Sequence, residues 1–414
     1  MSFQIRGLAA MSVSAVFATI AVGQDWSEAD LIERFQSVSP YVRDLKAKVS
    51  LAQAEVRTRT VYSNPSASYS REGAGYTEFF QAAQTLPLSG RLRFVREAGN
   101  AEIESAEGDR DAVLWSLRSD LRIAFYRMLA AQERIRLLTG GSIDIEQLIR
   151  VLRQRETEGE GSRYDRARAE RELTELRTDA AGSQALVAAA RGLLVGFLPE
   201  GTAVQSVRGR LSTAMDVPPL DILIGRALAA RADYRAEQKT LTRYQLEEQA
   251  ARRLRFPEPT VSAGLKRASV ISGLPPNPFS DVTRSGLVFG ISVPIPVFNR
   301  GQYEVARSQA EQERIEAHRL TLAREISAQV QRARDLLVLR QETLKTYQAE
   351  LQSAGAELTR ITQIAYQEGE IGILELLDAL RVSRNAALRL LDLQADVAVA
   401  LVELDRVVGE EVRP

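Results

Sequence analysis

The chain has 414 residues, of which 26% are charged and 6% aromatic, and its 54 basic side chains balance its 54 acidic ones. Zero net charge removes the electrostatic footprint of a nucleic-acid binder. The absence of cysteine removes disulfides, thiolate metal sites, a nucleophilic thiol and a lipidated cysteine, while the Ala-, Leu-, Glu-, Arg- and Gln-rich composition points to long helices.

Arg6 precedes a small apolar run from Gly7 to Val22, and Ala21-Val22-Gly23 has the small-x-small form of a signal-peptidase site. Residues 1–23 are therefore expected to be a signal peptide, with Gln24 opening the mature chain. No later segment approaches the roughly 20 apolar residues of a spanning helix, so entry into a membrane would have to be by strands.

From Asp25 to about Tyr62 the residues Leu31, Ile32, Phe35, Val38, Val42, Leu45, Val49, Leu51 and Ala54 recur with helical spacing. Asn64-Pro65 ends the pattern. Ser66 to Arg71 and Glu78 to Leu86 read as strands around a Glu72-Gly73-Ala74-Gly75 turn. Leu86-Pro87-Leu88-Ser89-Gly90-Arg91 then opens a helix-forming run to Thr157, about 100 Å long at the helical rise. Thr139-Gly140-Gly141-Ser142 interrupts it, and at roughly 1 kcal/mol per glycine relative to alanine a kink or local break is expected there. At Glu158-Gly159-Glu160-Gly161 the chain turns back into a helix from Arg163 to Leu198.

The same order then recurs. Arg231-Ala232-Asp233 opens a helix to Arg255, ended by Phe256-Pro257. Val261, Ala263 and Leu265 alternate with Ser262, Gly264 and Lys266. After a polar loop from Ser272 to Arg284, Leu287, Phe289, Ile291 and Val293 alternate in the same way. Period-two alternation with small or polar residues on one face suits a barrel strand between lipid and lumen, and equally a half-buried soluble hairpin. Ile295-Pro296-Val297-Phe298-Asn299-Arg300-Gly301 opens the second long helix, to Gln367, and after Glu368-Gly369-Glu370 a return helix runs from Leu374 to Val408. The distances from Pro87 and from Pro296 to the two Glu-Gly-Glu tips agree to within one residue. Such matched spacing marks a duplicated unit, with residues 24–208 and 209–414 as the two structural repeats. The long helices must pack along their length.

No catalytic constellation is present. His318, the single histidine, sits among Glu311, Glu313, Arg314, Glu316 and Arg319 and reads as part of a solvated helix face. Glu158-Gly159-Glu160-Gly161-Ser162 lacks the Lys-Ser/Thr of a phosphate loop. Neither a cofactor nor a metal site is expected.

With both strand-to-helix junctions and the tip Tyr366-Gln367-Glu368-Gly369-Glu370-Ile371-Gly372-Ile373-Leu374-Glu375-Leu376-Leu377-Asp378-Ala379 in view, the chain resembles the TolC family of outer-membrane efflux channels over its mature length, in style nearest the heavy-metal resistance branch. The resemblance implies a mainly α fold with a membrane β-barrel. In a homotrimer, each chain would supply two β-hairpins to a 12-stranded barrel in outer-membrane lipid, continued by an α-helical periplasmic tunnel. It also implies a periplasmic adaptor (membrane fusion protein) and an inner-membrane transporter of the RND type as partners. The function implied is a passive exit duct of a tripartite pump. The alternatives are the outer-membrane channel of a type I protein secretion system and a periplasmic coiled-coil scaffold or adaptor.

By resemblance, Tyr366 matches the gate tyrosine, Glu375 and Asp378 the acidic positions of the second tip, and Asp165 that of the first. Ile371 stands where some relatives carry an arginine, for which Arg163 or Arg168 are the candidate substitutes. Gly159, Gly161, Gly369 and Gly372 serve the tip turns and adaptor docking, and Pro87, Gly90, Pro296, Asn299 and Gly301 the junctions. Three copies of Glu375 and Asp378 at a constriction would attract cations; the bland reading is acids favoured near a helix N-terminus.

Overall fold

The computed structural model describes residues 25–72, 77–211, 216–272 and 280–412. The expected signal peptide, the glycines of the first hairpin turn and residues 273–279 of the second hairpin's loop lie outside these residues. Ser27 starts the helical structure with a reciprocal cap: its Oγ accepts from Asp30 N at 3.2 Å and its own N–H donates to the Asp30 carboxylate at 3.1 Å. The single helix expected from Asp25 to Tyr62 is in fact β1 (Asp25–Trp26), α1 (Glu28–Val38) and α2 (Pro40–Thr60). Pro40 forces the break, because the residue before a proline is driven out of the helical region, and Ser39 sits at φ −60°, ψ 140°.

β2 (Ser66–Glu72) and β3 (Thr77–Thr85) lead into α3 (Arg91–Thr157) and its return, α4 (Arg163–Phe197). After β4 (Ser206–Val207), which pairs in parallel with β1, come α5 (Leu220–Ala230) and α6 (Ala232–Arg252). A 3₁₀ turn, Arg253–Arg255, precedes β5 (Thr260–Ser272) and β6 (Ser280–Ser292), and α7 (Gln302–Gln367) and α8 (Ile373–Val408) complete the order. Corresponding helices match: α1 and α5 have 11 residues each, α2 and α6 21 each, α3 and α7 67 and 66, and α4 and α8 35 and 36. The second hairpin is longer than expected, with Ser280 to Arg284 already in the strand.

The four long strands form one antiparallel sheet in the order β2-β3-β5-β6. Register aligns Tyr69, Phe80, Leu265 and Leu287 in one row, and Ala67, Ala82, Ala263 and Phe289 in another on the same face. The other face carries Ser68, Gln81, Gly264 and Val288, then Ser66, Ala83, Ser262 and Gly290. Large apolar side chains on the first face are exposed, Leu287 at 72%, Phe289 at 74% and Ile291 at 75%.

Both junctions fold alike. Leu88 N donates to Leu86 O and Val297 N to Ile295 O, each at 2.9 Å, closing tight turns on Pro87 and Pro296. Ser89 Oγ accepts from Arg91 N at 3.2 Å, as Asn299 Oδ1 does from Gly301 N at 3.0 Å. Gly90 (φ 72°) and Gly301 (φ 85°) then cap the helices in the left-handed region, which glycine adopts without steric cost. The second junction is the longer, so Arg91 opens its helix whereas Arg300 precedes it.

Three apolar clusters hold the helices along their length. The first joins Phe35, Phe125, Met128 and Leu194; the second Leu223, Ile326, Leu337 and Leu404; the third, at the tips, Leu138, Ile145, Leu176 and Leu377. α8 contributes to all three. The break expected at Gly140-Gly141 is absent, and α3 is continuous through it. Leu138, Ser142 and Ile145 on either side are buried in that helix, and Ser142 Oγ donates to Leu138 O at 3.0 Å. Packing along the hairpin thus outweighs the weak propensity of two glycines. α4 also departs from expectation, since it contains an 18-residue window apolar enough to cross a membrane by length and composition. Ser183, Val187, Ala190 and Leu194 of that helix form one buried stripe while Leu186, Leu193 and Val195 are exposed, and α4 is the return arm of the α3 hairpin.

Candidate gate at the helical tips

Both long helices end in one turn type. Gly159 (φ 82°) and Gly369 (φ 78°) are left-handed, and beyond them Glu160 N donates to Arg155 O at 2.9 Å and Glu370 N to Ala365 O at 2.8 Å. These are glycine-capped helix ends. A Cβ on Gly161 would lie 2.8 Å from Glu156 N, so the returning chain crosses against the backbone of α3. Ser162 caps α4 by accepting from Tyr164 N at 3.1 Å, and Gly372 is the cap residue of α8.

Asp165 and Glu375 lie in the first turns of α4 and α8, where the helix dipole favours an acid. The Glu375 Oε2 stands 3.0 Å from the place a Cβ on Gly372 would take, so this carboxylate leans back over the helix start. Glu375 and Asp378 are exposed on α8, turned away from Ile373, Leu376 and Leu377, which are buried in the tip cluster. Tyr366 packs against that cluster. Burial pushes its phenol above the usual range, Arg155 opposes the shift and Asp165 adds to it, which leaves a protonated donor at neutral pH. Tyr366 thus feels the charge of Asp165 across the tip, while Glu375 and Asp378 stay exposed.

The cation beside Tyr366 is Arg155, 6.0 Å from the ring centroid, rather than Arg163 or Arg168, which are exposed and in no ion pair among the described residues. Arg166 is the engaged arginine of the first tip, bonded to Glu156 at 2.6 Å and to Glu170 at 2.8 Å.

A second feature joins residues far apart in the chain. Glu172 of α4 has a side chain only 4% exposed, and it accepts from Arg384 of α8 at 2.9 Å and from Arg381. Two arginines one helical turn apart converge on one buried carboxylate and fasten the two return helices together. Burial alone would raise the Glu172 carboxyl, but the arginines outweigh it and hold it below the usual value. The only sequence signal was the Arg381/Arg384 spacing, and their partner lies 209 residues from Arg381.

Elsewhere, His318 donates from Nδ1 to Glu237 of α6 at 2.6 Å with half of its side chain exposed, so it bridges helices as well as facing solvent. Among the described residues no group of three or more His, Asp and Glu side chains is placed to hold a metal ion.

Residues 223–410 match the model of the outer membrane efflux protein family. Over 322 residues the chain is 26% identical to the cobalt-zinc-cadmium resistance protein CzcC of Cupriavidus metallidurans, covering 75% of this chain and 73% of that one. Among solved structures it superposes on CusC with a TM-score of 0.72 at 21% identity, over 92% of each chain. For the outer-membrane channel OprN the TM-score is 0.70 at 21% identity, over 94% of this chain and 91% of that one. For the open state of the Neisseria gonorrhoeae MtrE outer membrane channel it is 0.68 at 19% identity, over 93% and 89%. At these identities the superpositions speak to the fold.

Proposed function

We propose that the chain is a TolC-like outer membrane efflux protein and the passive exit duct of a tripartite efflux pump, a reading supported by the family match over residues 223–410 and by the kinship with CzcC. The observation that carries this reading is the sheet, which gathers the exposed Leu287, Phe289 and Ile291 on one face, while Ser, Ala, Gln and Gly, with Phe79 and Val288 among them, make up the other. Lipid accepts the first face and a water-filled lumen the second. One chain supplies two hairpins with open edges at β2 and β6, and an open edge is not tolerated in lipid. Three copies closing a 12-stranded barrel satisfy every edge. The long helices then continue the passage as a tunnel, and residues 24–208 and 209–414 act as two repeats that form its wall in alternation.

Transport by such a duct involves no bond-making. An inner-membrane transporter supplies the energy and a periplasmic adaptor joins it to the tips, where Gly159, Gly161, Gly369 and Gly372 shape the turns that it meets. Opening is a splaying of the tip helices. Asp165, Tyr366, Glu375 and Asp378 form the periplasmic gate, with the exposed acids of three chains at its mouth selecting cations. The kinship with a cobalt-zinc-cadmium resistance protein supports divalent metal cations as the cargo, conducted without a resident site.

Reversal potentials of the purified protein in planar bilayers under a salt gradient test this. Cation-selective pores whose preference weakens in Glu375→Ala/Asp378→Ala are expected. Pores indifferent to the double substitution would refute the acidic mouth, and failure to form pores would refute the duct.

A further inference from the structure

The strand-to-helix junctions carry apolar side chains that the fold leaves uncovered. Val293, Ile295, Val297 and Phe298 are 47, 80, 55 and 91% exposed, and Leu88 of the first junction is 71% exposed. Single exposed apolar residues are ordinary, but a contiguous run marks a contact surface. This run follows directly on β6 and its exposed Leu287, Phe289 and Ile291, so the apolar surface continues past the point where the strand stops.

Cations stand at the same level. A Cβ on Gly301 would lie 2.6 Å from Ala251 O and 2.9 Å from Leu254, which places the Arg253–Arg255 turn beside the second junction. Leu86 N donates to Pro259 O at 2.9 Å and brings the first junction alongside. Arg253 lies over the rings of Phe94 and Phe256 at 5.5 and 5.7 Å, and Arg255 over Phe256 at 4.8 Å. Arg91, Arg253, Arg255 and Arg300 are exposed, and none is in an ion pair among the described residues. The neighbouring acid, Glu258, accepts from Ser89 Oγ at 2.6 Å.

Apolar knuckles fringed by arginine fit the boundary between acyl chains and phosphate headgroups, where a guanidinium reaches the phosphate while apolar groups stay in hydrocarbon. We propose that the junctions, with Phe298 foremost, are seated in the periplasm-facing leaflet of the membrane, and that Arg253, Arg255 and Arg300 contact its phosphates. The collar is a membrane anchor made by the fold in a chain with no cysteine to be lipidated. It rests on the barrel reading of the sheet.

The absence of cysteine also provides the test. A nitroxide is attached to Phe298→Cys or, as reference, to Phe289→Cys on β6, and the full-length protein is reconstituted into phosphatidylethanolamine/phosphatidylglycerol vesicles. Collision with oxygen, which concentrates in lipid, is compared with collision with a water-soluble nickel chelate. Both positions are expected to favour oxygen, with 298 the shallower. Water exposure at both would overturn the barrel and the anchor together. Lipid exposure at 289 with water exposure at 298 would overturn the anchor alone. Shielding of 298 from both agents would mean that a second copy covers it, and would also overturn the anchor. Arg253→Gln/Arg255→Gln/Arg300→Gln is expected to lower partition into phosphatidylglycerol vesicles about a hundredfold and to leave neutral vesicles unchanged; equal partition in both would overturn the phosphate contact.

Discussion

Glu172→Gln keeps the shape of the clamp between the return helices and removes its charge. The Arg381 side chain is 48% exposed, so solvent screens its contact with Glu172 to about 0.5 kcal/mol. Arg384 is 14% exposed, and its bond to a charged acceptor is worth about 2 kcal/mol. The substitution also strands a guanidinium in a largely buried place, which brings the cost to about 2–3 kcal/mol. Where the tips exchange between a closed and a splayed arrangement, that shifts the ratio by about thirtyfold or more. Single-channel recording of Glu172→Gln is expected to show a matching rise in open fraction. In a cycle with Arg384→Gln the double variant should cost less than the two singles combined. Acid should mimic the substitution. The Glu172 carboxyl lies below its usual 4.5 in the fold, so its contribution is present above about pH 4.5 and is lost as the pH falls through the folded value. Wild-type gating and wild-type acid sensitivity in a folded Glu172→Gln trimer would refute the clamp.

Gly140→Ala should stabilise the protein by about 1 kcal/mol, since helix propensity improves and a Cβ there meets nothing within 4 Å. A lowered melting temperature would show that the glycine serves a bend after all. Gly159→Ala and Gly369→Ala place a side chain at φ 82° and 78° and should each cost about 1 kcal/mol, read as faster amide exchange confined to the tip. Unchanged exchange would mean that the turn relaxes without cost. Partial desolvation beside α6, then Glu237 and Asp233, push the carboxyl of Asp109, which is still exposed, above its usual 3.8. Its charged form therefore weakens the fold at neutral pH and has no effect once the group is protonated in both states. Asp109→Asn should raise the melting temperature at pH 7, with the gain vanishing below about pH 4; a gain independent of pH would refute the electrostatic cause.

Local chemistry made much of the architecture legible. Pro87, Gly90, Pro296 and Gly301 punctuate the junctions, and the alternation from Val261 to Leu265 is a property of a few adjacent residues. Pro40 was equally visible, but the helical spacing of Phe35, Val38 and Val42 runs across it and masked the break. β1 and β4, with two residues each, are too short to leave a periodic signature. The candidate site was less legible because its contacts join remote parts of the chain. Tyr366 and Asp165 could be named from the family pattern, yet Arg155 over the Tyr366 ring and Glu172 beneath Arg381 and Arg384 depend on which faces two separate hairpins present to each other. Gly140-Gly141 misled because propensity is a local quantity and the packing of Leu138 and Ile145 is not.

The near-equality of α3 and α7, and of α4 and α8, makes the protein a gauge whose graduations are helical turns. One residue added to α3 alone would move its tip by about 1.5 Å and rotate it by about 100°. Leu152 would then leave the tip cluster, and the two tips would no longer stand level. Seven residues removed from each of α3, α4, α7 and α8 would restore every face to within about 20° and shorten the rods by about 10 Å. The distance from membrane to tip can therefore change only in steps of about two turns, made in all four helices together, and any partner meeting the tips must match one of those settings.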